Sequence, residues 1–278
     1  MASRAEQKAA ARAAREAAHR ELSAAQARRL RLYWLGGLGV AVIVAIVIVF
    51  VAAGNGGSTK VADYTARSGL SHAAAVKYAE QELAGIPQHG TTLGNPNAPA
   101  TITEWGDLVC STCDAFALDS EIQIIGTLVK TGKAKLVYRA YDSASSYNSV
   151  NEASFSAGQV AVKAAGEQNK AWDYIEINYL EQPATIGGKD NEEAPYYTTA
   201  YIQSLAAQVP GLNLIKWSQA LGSSSLASQV KADNNAGVGL GITGTPGVYV
   251  SGPKGASLVQ TTSYPTLAQT EQLVAQYS

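Results

Sequence analysis

The chain has 278 residues and a formal net charge of −1 at pH 7, but its charges are unevenly distributed. Residues 1–31 contain eight Lys and Arg against three acidic residues, so the remainder of the chain is acidic overall. Because binding to nucleic acid depends on clustered Lys and Arg, this balance excludes the larger part of the chain as a nucleic-acid binder.

An uncharged apolar segment follows the basic tail at 1–31. Residues 32–53 contain no charged side chain, and a helix of this length spans roughly 33 Å, enough to cross a bilayer core of about 30 Å. Since Lys and Arg accumulate on the cytoplasmic side, the sequence predicts a single transmembrane signal-anchor in the cell membrane, a cytoplasmic N-terminus and an extracytoplasmic remainder. A cleaved signal peptide ending at Ala53 is the alternative, but such peptides have shorter apolar cores and shorter basic leaders.

Residues 54–84 are predicted to form a linker that contains one short amphipathic helix at 71–83. The Gly-rich composition of 54–59 is typical of a flexible linker. The domain that follows is predicted to extend over 85–278.

Sequence patterns in the first half of this domain predict an α/β arrangement. The β-branched and aromatic run 101–105 predicts a strand, and the apolar periodicity after Cys113 predicts a helix that ends before Gly132. The run 135–139 predicts a second strand, which we expect to lie parallel to the first because a helix joins them. Cys110 therefore lies where the first strand leads into the helix.

A helical insertion at about 144–238 separates this first half from the second. The helical patterns in the insertion fall at 151–167, 170–181, 196–208 and 213–235. After the insertion come Thr245-Pro246, strands at 247–250 and 256–260, and a last helix with Ser263 as its N-cap.

The chain has only two cysteines, Cys110 and Cys113, and three histidines. A zinc site needs about four ligands, and the histidines lie in the tail and in the segment before the first predicted strand. Neither a metal nor a cofactor is therefore expected. The two cysteines form either a short redox disulfide or an inert pair of small residues.

The predicted helix start favours the redox alternative. Unpaired backbone N–H groups and the positive end of the helix dipole stabilise a thiolate at Cys110, which is the expected exposed nucleophile. Cys113, one turn later and shielded, is the expected resolving thiol. Asp107 and Asp114 are expected to place negative charge nearby, which opposes thiolate formation.

The motifs follow a specific order: Gly85-Ile86-Pro87-Gln88, Leu93-Gly94, Ala98-Pro99, a strand containing Glu104, Cys110-x-x-Cys113, the helical insertion and Thr245-Pro246. This order resembles the membrane-anchored, DsbA-like (BdbD-type) thiol-disulfide oxidoreductases of the thioredoxin-fold superfamily, over about residues 85–278. The resemblance implies a thioredoxin fold with an inserted helical domain, preceded here by the N-terminal transmembrane helix.

The resemblance also implies how a client protein binds beside Cys110. Pro246 is expected to be cis, which exposes the backbone of Thr245 so that it pairs with an extended client segment. Ser111 and Thr112 replace the Pro-His or Pro-Tyr pair that is common in the family, and we expect both residues to contact the client.

Glu104 is expected, by the same resemblance, to move protons to and from Cys113; the alternative is a partly exposed acid at the end of a strand. The leading functional hypothesis is an oxidase that introduces disulfides into exported proteins with cysteine pairs. Its expected reoxidising partner is a quinone-linked membrane protein of the DsbB or vitamin K epoxide reductase type. The alternatives are an extracytoplasmic reductase or isomerase, and a peptide-binding chaperone that performs no exchange.

Overall fold

The structure, a computed structural model, describes residues 69–148, 152–183, 185–186, 189–190, 192 and 196–278. All of them lie within one compact unit, Lys60–Ser278. The predicted tail at 1–31, the predicted membrane span at 32–53 and residues 54–68 of the predicted linker lie outside the described residues. Among the helices that the structure does describe, none combines the length and the apolar character needed to cross a bilayer.

The first half of the domain contains two helices and four strands. In chain order these are α1 (His72–Leu83), β1 (Gln88–His89), β2 (Thr92–Leu93), β3 (Ala100–Gly106), α2 (Ser111 to Val129) and β4 (Ala134–Ala140). Helix α2 is not regular. It consists of the α-helical segments Ser111–Phe116 and Ile122–Ile124 and the π-helical segments Ala117–Glu121 and Ile125–Val129.

The second half begins with helices and ends with a hairpin and a helix. Its elements are α3 (Ala144–Asn148), α4 (Glu152–Gly166), α5 (Ala171–Glu181), β5 (Thr185–Ile186), β6 (Lys189–Asp190), α6 (Thr199–Gln208), α7 (Leu214–Ala220), α8 (Ser224–Gly239), β7 (Gly247–Gly252), β8 (Gly255–Leu258) and α9 (Leu267–Tyr277).

The central sheet has the strand order β1-β2-β4-β3-β7-β8. Strands β3 and β4 are parallel, as the connecting helix predicted, and β7 pairs with β3 in the antiparallel direction. Because β3 is central, nearly all of its residues are buried, and Glu104 is paired with Tyr138 on one side and Val248 on the other. This sheet with its helical insertion confirms the predicted thioredoxin-type architecture.

Two helix boundaries differ from the sequence prediction. The pattern at 213–235 forms two helices, α7 and α8, because the first helix ends before Gly222. Ser223 is the N-cap of the second helix, and its side chain accepts a hydrogen bond from Leu226 N. The last helix has Thr266, not Ser263, as its N-cap. Thr266 and Gln269 form a reciprocal capping box, which satisfies two of the free N–H groups at the helix start.

Asp233 on α8 connects the insertion to the sheet. Its buried carboxylate accepts a 2.7 Å hydrogen bond from Arg139 on β4 and pairs with Lys163 on α4. Its backbone oxygen accepts a 2.9 Å hydrogen bond from the indole of Trp105 on β3. Because a buried charge is stable only when it is paired, these contacts hold α8 against the carboxyl ends of β3 and β4, where the cysteines lie.

Candidate active site

Cys110 is the N-cap residue of α2, where β3 leads into the helix. Its sulfur accepts a 3.3 Å hydrogen bond from Cys113 N, which is one of the N–H groups left free at the helix start. The same sulfur donates to the carbonyl oxygen of Thr245 at 3.5 Å. Both cysteines are free thiols. The structure therefore brings together the pair, the helix start and Thr245, as the sequence predicted.

Cys110 is less exposed than the sequence analysis predicted. The residue is only 4% exposed, although it lines an open groove of about 320 Å³. Tyr141, Ser143, Glu192 and Thr245 are among the residues that line this groove. A client thiol therefore has to enter the groove to reach Cys110.

Cys113 is completely buried, which agrees with the prediction of a shielded thiol. Burial raises the pKa of the Cys113 thiol well above its usual value, and the contact with Cys110 and the charge of Glu104 raise it further. When the pKa of a thiol is raised, its thiolate is a poor leaving group. Chemistry at Cys113 therefore needs a group that gives or takes its proton.

The bond between Thr245 and Pro246 is cis, so the predicted isomer is confirmed. The hydroxyl groups of Thr245 and Ser143 hydrogen-bond to each other. This contact links the loop before β7 to the loop after β4, on the two sides of the groove. The backbone of Thr245 is thereby held next to Cys110.

Glu104 on β3 has no exposed surface, so the alternative of a partly exposed strand-end acid is wrong. Burial raises the pKa of the Glu104 carboxyl to about 7, although a hydrogen bond with Glu121 partly opposes the shift. Glu104 therefore changes its protonation state near neutral pH, and its charge acts on Cys113.

Glu121 on α2 is a site residue that the sequence analysis missed. Its side chain is fully buried, and its pKa is raised well above the usual value by burial, then by the charge of Glu104 and their hydrogen bond. No ordinary donor from the described residues reaches either carboxyl group. Two carboxyl groups can hydrogen-bond to each other only when one of them carries a proton, so the pair holds a proton at neutral pH.

A second missed residue, Glu192, touches the start of α2. One of its carboxylate oxygens accepts hydrogen bonds from Ser111 N at 2.7 Å and from Ser111 Oγ at 2.9 Å. The predicted client contact Ser111 is therefore already engaged within the chain. Thr112, the other predicted contact in the Cys-x-x-Cys segment, is half-buried.

Comparison with known proteins shows the family of the chain. The family model described as Thioredoxin matches residues 88–264, which is more than half of the chain. The chain belongs to this thioredoxin family.

The chain is similar to one curated relative and to two solved structures that share its fold. Disulfide bond formation protein D of Bacillus subtilis is 25% identical over 165 residues, which are 57% of this chain and 66% of that protein. The crystal structure of oxidised BdbD from Bacillus subtilis matches 69% of this chain and 95% of its own, with 20% identity and a TM-score of 0.54. DsbA from Chlamydia trachomatis matches 67% of this chain and 88% of its own, with 22% identity and a TM-score of 0.50. The solved structures show the shared fold, and the predicted resemblance to DsbA-like thiol-disulfide oxidoreductases is confirmed.

The structure corrects the expected effect of one of the two acids near the cysteines, Asp114. Burial raises the pKa of Asp114 to about 8, so at pH 7 most of its expected negative charge is absent. Asp107 behaves differently. Its pKa rises only to about 6, because hydrogen bonds from Ser145, Ser143 and Val109 oppose the effect of burial, and it stays mainly ionised at pH 7.

Proposed function

We propose that the chain is an extracytoplasmic thiol-disulfide oxidoreductase that oxidises cysteine pairs of exported proteins through a Cys110–Cys113 disulfide. The observation that carries this proposal is the position of the Cys110 sulfur, which lies between Cys113 N at 3.3 Å and the Thr245 carbonyl at 3.5 Å. The first contact stabilises negative charge on the sulfur. The second places the sulfur beside a backbone segment that can align a client chain.

In the oxidising direction, a client thiolate attacks the Cys110 sulfur of the disulfide. A bond forms between the client and Cys110, the bond between Cys110 and Cys113 breaks, and Cys113 leaves as a thiolate that takes up a proton. A second client thiolate then attacks the client sulfur of the mixed disulfide and releases Cys110. Two client thiols are oxidised and the domain ends as a dithiol.

We propose that Glu104 donates a proton to Cys113 and accepts one from it. Its pKa of about 7 allows it to donate a proton to the departing thiolate and to accept one when the domain is reoxidised. Reoxidation is proposed to use a quinone-linked membrane protein of the DsbB or vitamin K epoxide reductase type. The uncharged segment at 32–53 supports this arrangement, since an anchored domain would lie close to a membrane partner.

Net reduction or isomerisation of client disulfides is a second candidate, which the position of Glu192 favours. Its carboxylate occupies the Ser111 N–H at the helix start, and this negative charge opposes a thiolate at Cys110. A less stable thiolate makes the dithiol form less stable and the disulfide less oxidising.

The reduction potential of the Cys110–Cys113 couple, measured against glutathione, separates the two directions. A value near the roughly −120 mV of DsbA supports the oxidase, and a value near the roughly −270 mV of thioredoxin supports the reductase. Reduction of insulin by the wild type but not by Cys110→Ser is expected in both cases. Equal activity of the two would contradict exchange and support a peptide-binding chaperone.

The proposed location has its own test. Protease added to intact cells, stripped of any outer wall, is expected to digest residues 85–278 and to spare 1–31. Protection of the large domain would place it on the cytoplasmic side and overturn the proposed location.

A further inference from the structure

Asp107 is a buried acid shortly before Cys110 that connects two segments of the active site. Its Oδ1 atom accepts hydrogen bonds from Val109 N at 3.3 Å and from Ser145 Oγ at 2.9 Å. Its Oδ2 atom accepts hydrogen bonds from Ser143 N at 3.2 Å and from Ser145 N at 2.9 Å. One carboxylate therefore bridges the segment before α2 and the loop after β4.

The donors around Asp107 match an ionised carboxylate. An ionised Asp side chain offers about four acceptor positions and carries no hydrogen, and four N–H and O–H groups donate to it. Burial raises the pKa of Asp107 only to about 6, so the carboxylate is ionised at pH 7. A neutral amide in its place would turn an NH2 group towards at least one backbone N–H. The four contacts therefore need the charged acid and not only a side chain of the same shape.

The loop that Asp107 holds is in contact with Thr245 on the other side of the groove. Ser143 donates its backbone N–H to Asp107, and its hydroxyl group hydrogen-bonds with the hydroxyl group of Thr245. The carbonyl oxygen of Thr245 accepts a hydrogen bond from the Cys110 sulfur at 3.5 Å. The backbone oxygen of Asp107 accepts a 3.0 Å hydrogen bond from Cys110 N. Asp107 is therefore joined to Cys110 directly and to Thr245 through Ser143.

We propose that Asp107, acting through Ser143, is a positioning residue that holds Thr245 in place beside the reacting sulfur and thereby favours exchange with extended peptides over exchange with small thiols. The inference rests on the proposed exchange at Cys110 and adds a determinant of its selectivity. A peptide client needs its backbone beside Thr245 and its sulfur at Cys110 at the same time, whereas a small thiol needs only access to the sulfur. Because small displacements of reacting groups slow a reaction strongly, a displaced Thr245 should slow the peptide and spare the small thiol.

The reacting step is the same for both kinds of thiol. The thiolate attacks the Cys110 sulfur of the oxidised domain and forms a bond to it, the bond between Cys110 and Cys113 breaks, and Cys113 leaves and takes up a proton. Asp107 exchanges neither a proton nor an electron in this step. Its effect therefore lies in the ratio of two rates, that of the peptide and that of the small thiol.

The test uses the full chain in its oxidised form and two reductants, which are β-mercaptoethanol and an uncharged extended peptide with one cysteine. The selectivity is the rate constant of the peptide divided by that of β-mercaptoethanol, both measured by stopped flow. Dividing the selectivity of a variant by that of the wild type cancels the different acidity of the two thiols. It also cancels a change in the intrinsic reactivity of Cys110, because both thiols attack the same sulfur.

Asp107→Asn and Ser143→Ala interrupt the proposed connection at two points. Asp107→Asn keeps the shape of the side chain but removes its charge and at least one acceptor contact, and we expect the selectivity to fall by at least about threefold. Ser143→Ala keeps the backbone N–H that donates to Asp107 but removes the hydroxyl group that contacts Thr245, and we expect a fall of about three- to tenfold. The double variant should lose no more than about twofold beyond the larger single effect, because the two residues act in series.

Asp173→Asn is the matched control for a general loss of rigidity. Asp173 is also a buried acid, and its carboxylate accepts hydrogen bonds from Gln88 at 2.7 Å and from Lys170 at 3.4 Å. None of these three residues lines the groove at Cys110. This variant should unfold at a lower urea concentration than the wild type and keep the wild-type selectivity.

Each outcome supports or overturns the connection from Asp107 to Thr245. Wild-type selectivity in folded Asp107→Asn would overturn the proposal, and so would an equal fall in Asp173→Asn, which would assign the effect to loosening of the whole domain. If Asp107→Asn does not fold, Ser143→Ala decides alone, and unchanged selectivity in that variant would overturn the connection. Failure of the oxidised wild type to react with either thiol would instead count against the proposed function itself.

Discussion

The carboxyl groups of Glu104 and Glu121 hydrogen-bond to each other in the core of the domain, where neither side chain is exposed. Burial raises the pKa of both groups, to about 7 for Glu104 and well above the usual value for Glu121. Glu104 is therefore the member of the pair that ionises near neutral pH, while Glu121 keeps its proton. The charge of Glu104 in turn acts on the buried Cys113 thiol.

Replacing Glu104 with Gln is expected to slow the steps in which Cys113 gains or loses a proton. A positioned general acid or base contributes on the order of a hundredfold or more, so reoxidation of the dithiol by oxidised glutathione should slow by about that factor at pH 7.5. The wild-type rate should show an inflection near pH 7 that the variant lacks. A variant that keeps both the rate and the inflection would exclude Glu104 as the proton partner of Cys113.

Two substitutions of Glu121 distinguish the effect of its hydrogen bond with Glu104 from the effect of its side-chain volume. Glu121→Leu removes the donor that stabilises the ionised form of Glu104, so the pKa of Glu104 should rise and the inflection should move to higher pH. The rate of reoxidation at pH 7 should then fall by about three- to tenfold. Glu121→Gln keeps a donor and should leave the inflection close to pH 7. Identical pH profiles for the two variants would show that the pair is only a packing feature.

The elements next to the cysteines were predictable because their patterns are local. The β-branched run of β3, the helix start at Cys110 and the parallel strand β4 each follow from neighbouring residues in the sequence. The central position of β3, which the structure shows, explains why Glu104 is buried. The family resemblance added the late Thr245-Pro246 segment, which the chain separates from Cys110 by 135 positions.

The missed residues depend on contacts that local patterns do not encode. Glu121 stands at the end of a π-helical segment, and a wider turn changes which side chains face the core. Regular helical spacing therefore did not indicate its partner Glu104. Glu192 lies 81 positions from Ser111 along the chain, and nothing in its own neighbourhood predicts that it contacts the start of α2.

Single Ser substitutions of the two cysteines should have unequal effects. Cys113→Ser keeps the nucleophile and removes its resolving thiol, so Cys110 should attack client disulfides and accumulate mixed disulfides that dithiothreitol releases. Cys110→Ser leaves only the fully buried thiol, whose raised pKa keeps it protonated. We expect at least a tenfold difference in trapped client on non-reducing gels.

Loss of turnover in both variants is the internal control for this trapping experiment, because net exchange needs two thiols. Equal trapping by Cys110→Ser and Cys113→Ser would contradict the assignment of Cys110 as nucleophile. Predominant trapping by Cys110→Ser would reverse the two roles.

The stability of the domain should depend on pH through Asp114, which is nearly inaccessible and has one carboxyl oxygen without a partner from the described residues. Its pKa is raised from 3.8 to about 8 by burial, so the folded state binds a proton that the unfolded state has lost. The contribution of the protonated form is fully present below about pH 4 and is lost as the pH rises towards 8.

Asp114→Asn removes this titration while keeping a side chain of nearly the same shape. The variant should differ little from the wild type at pH 4, and its advantage in free energy of unfolding should grow to a few kcal/mol at pH 8. Urea denaturation of the reduced proteins at several pH values measures the difference in free energy of unfolding between the variant and the wild type. Glu104 and Asp107 are present in both proteins, so their contributions cancel in this difference. Glu80→Gln, an exposed acid on α1, is the control and should show no such trend. A constant difference between Asp114→Asn and the wild type from pH 4 to 8 would mean that Asp114 is already ionised in the folded domain, and its negative charge would then oppose the Cys110 thiolate after all.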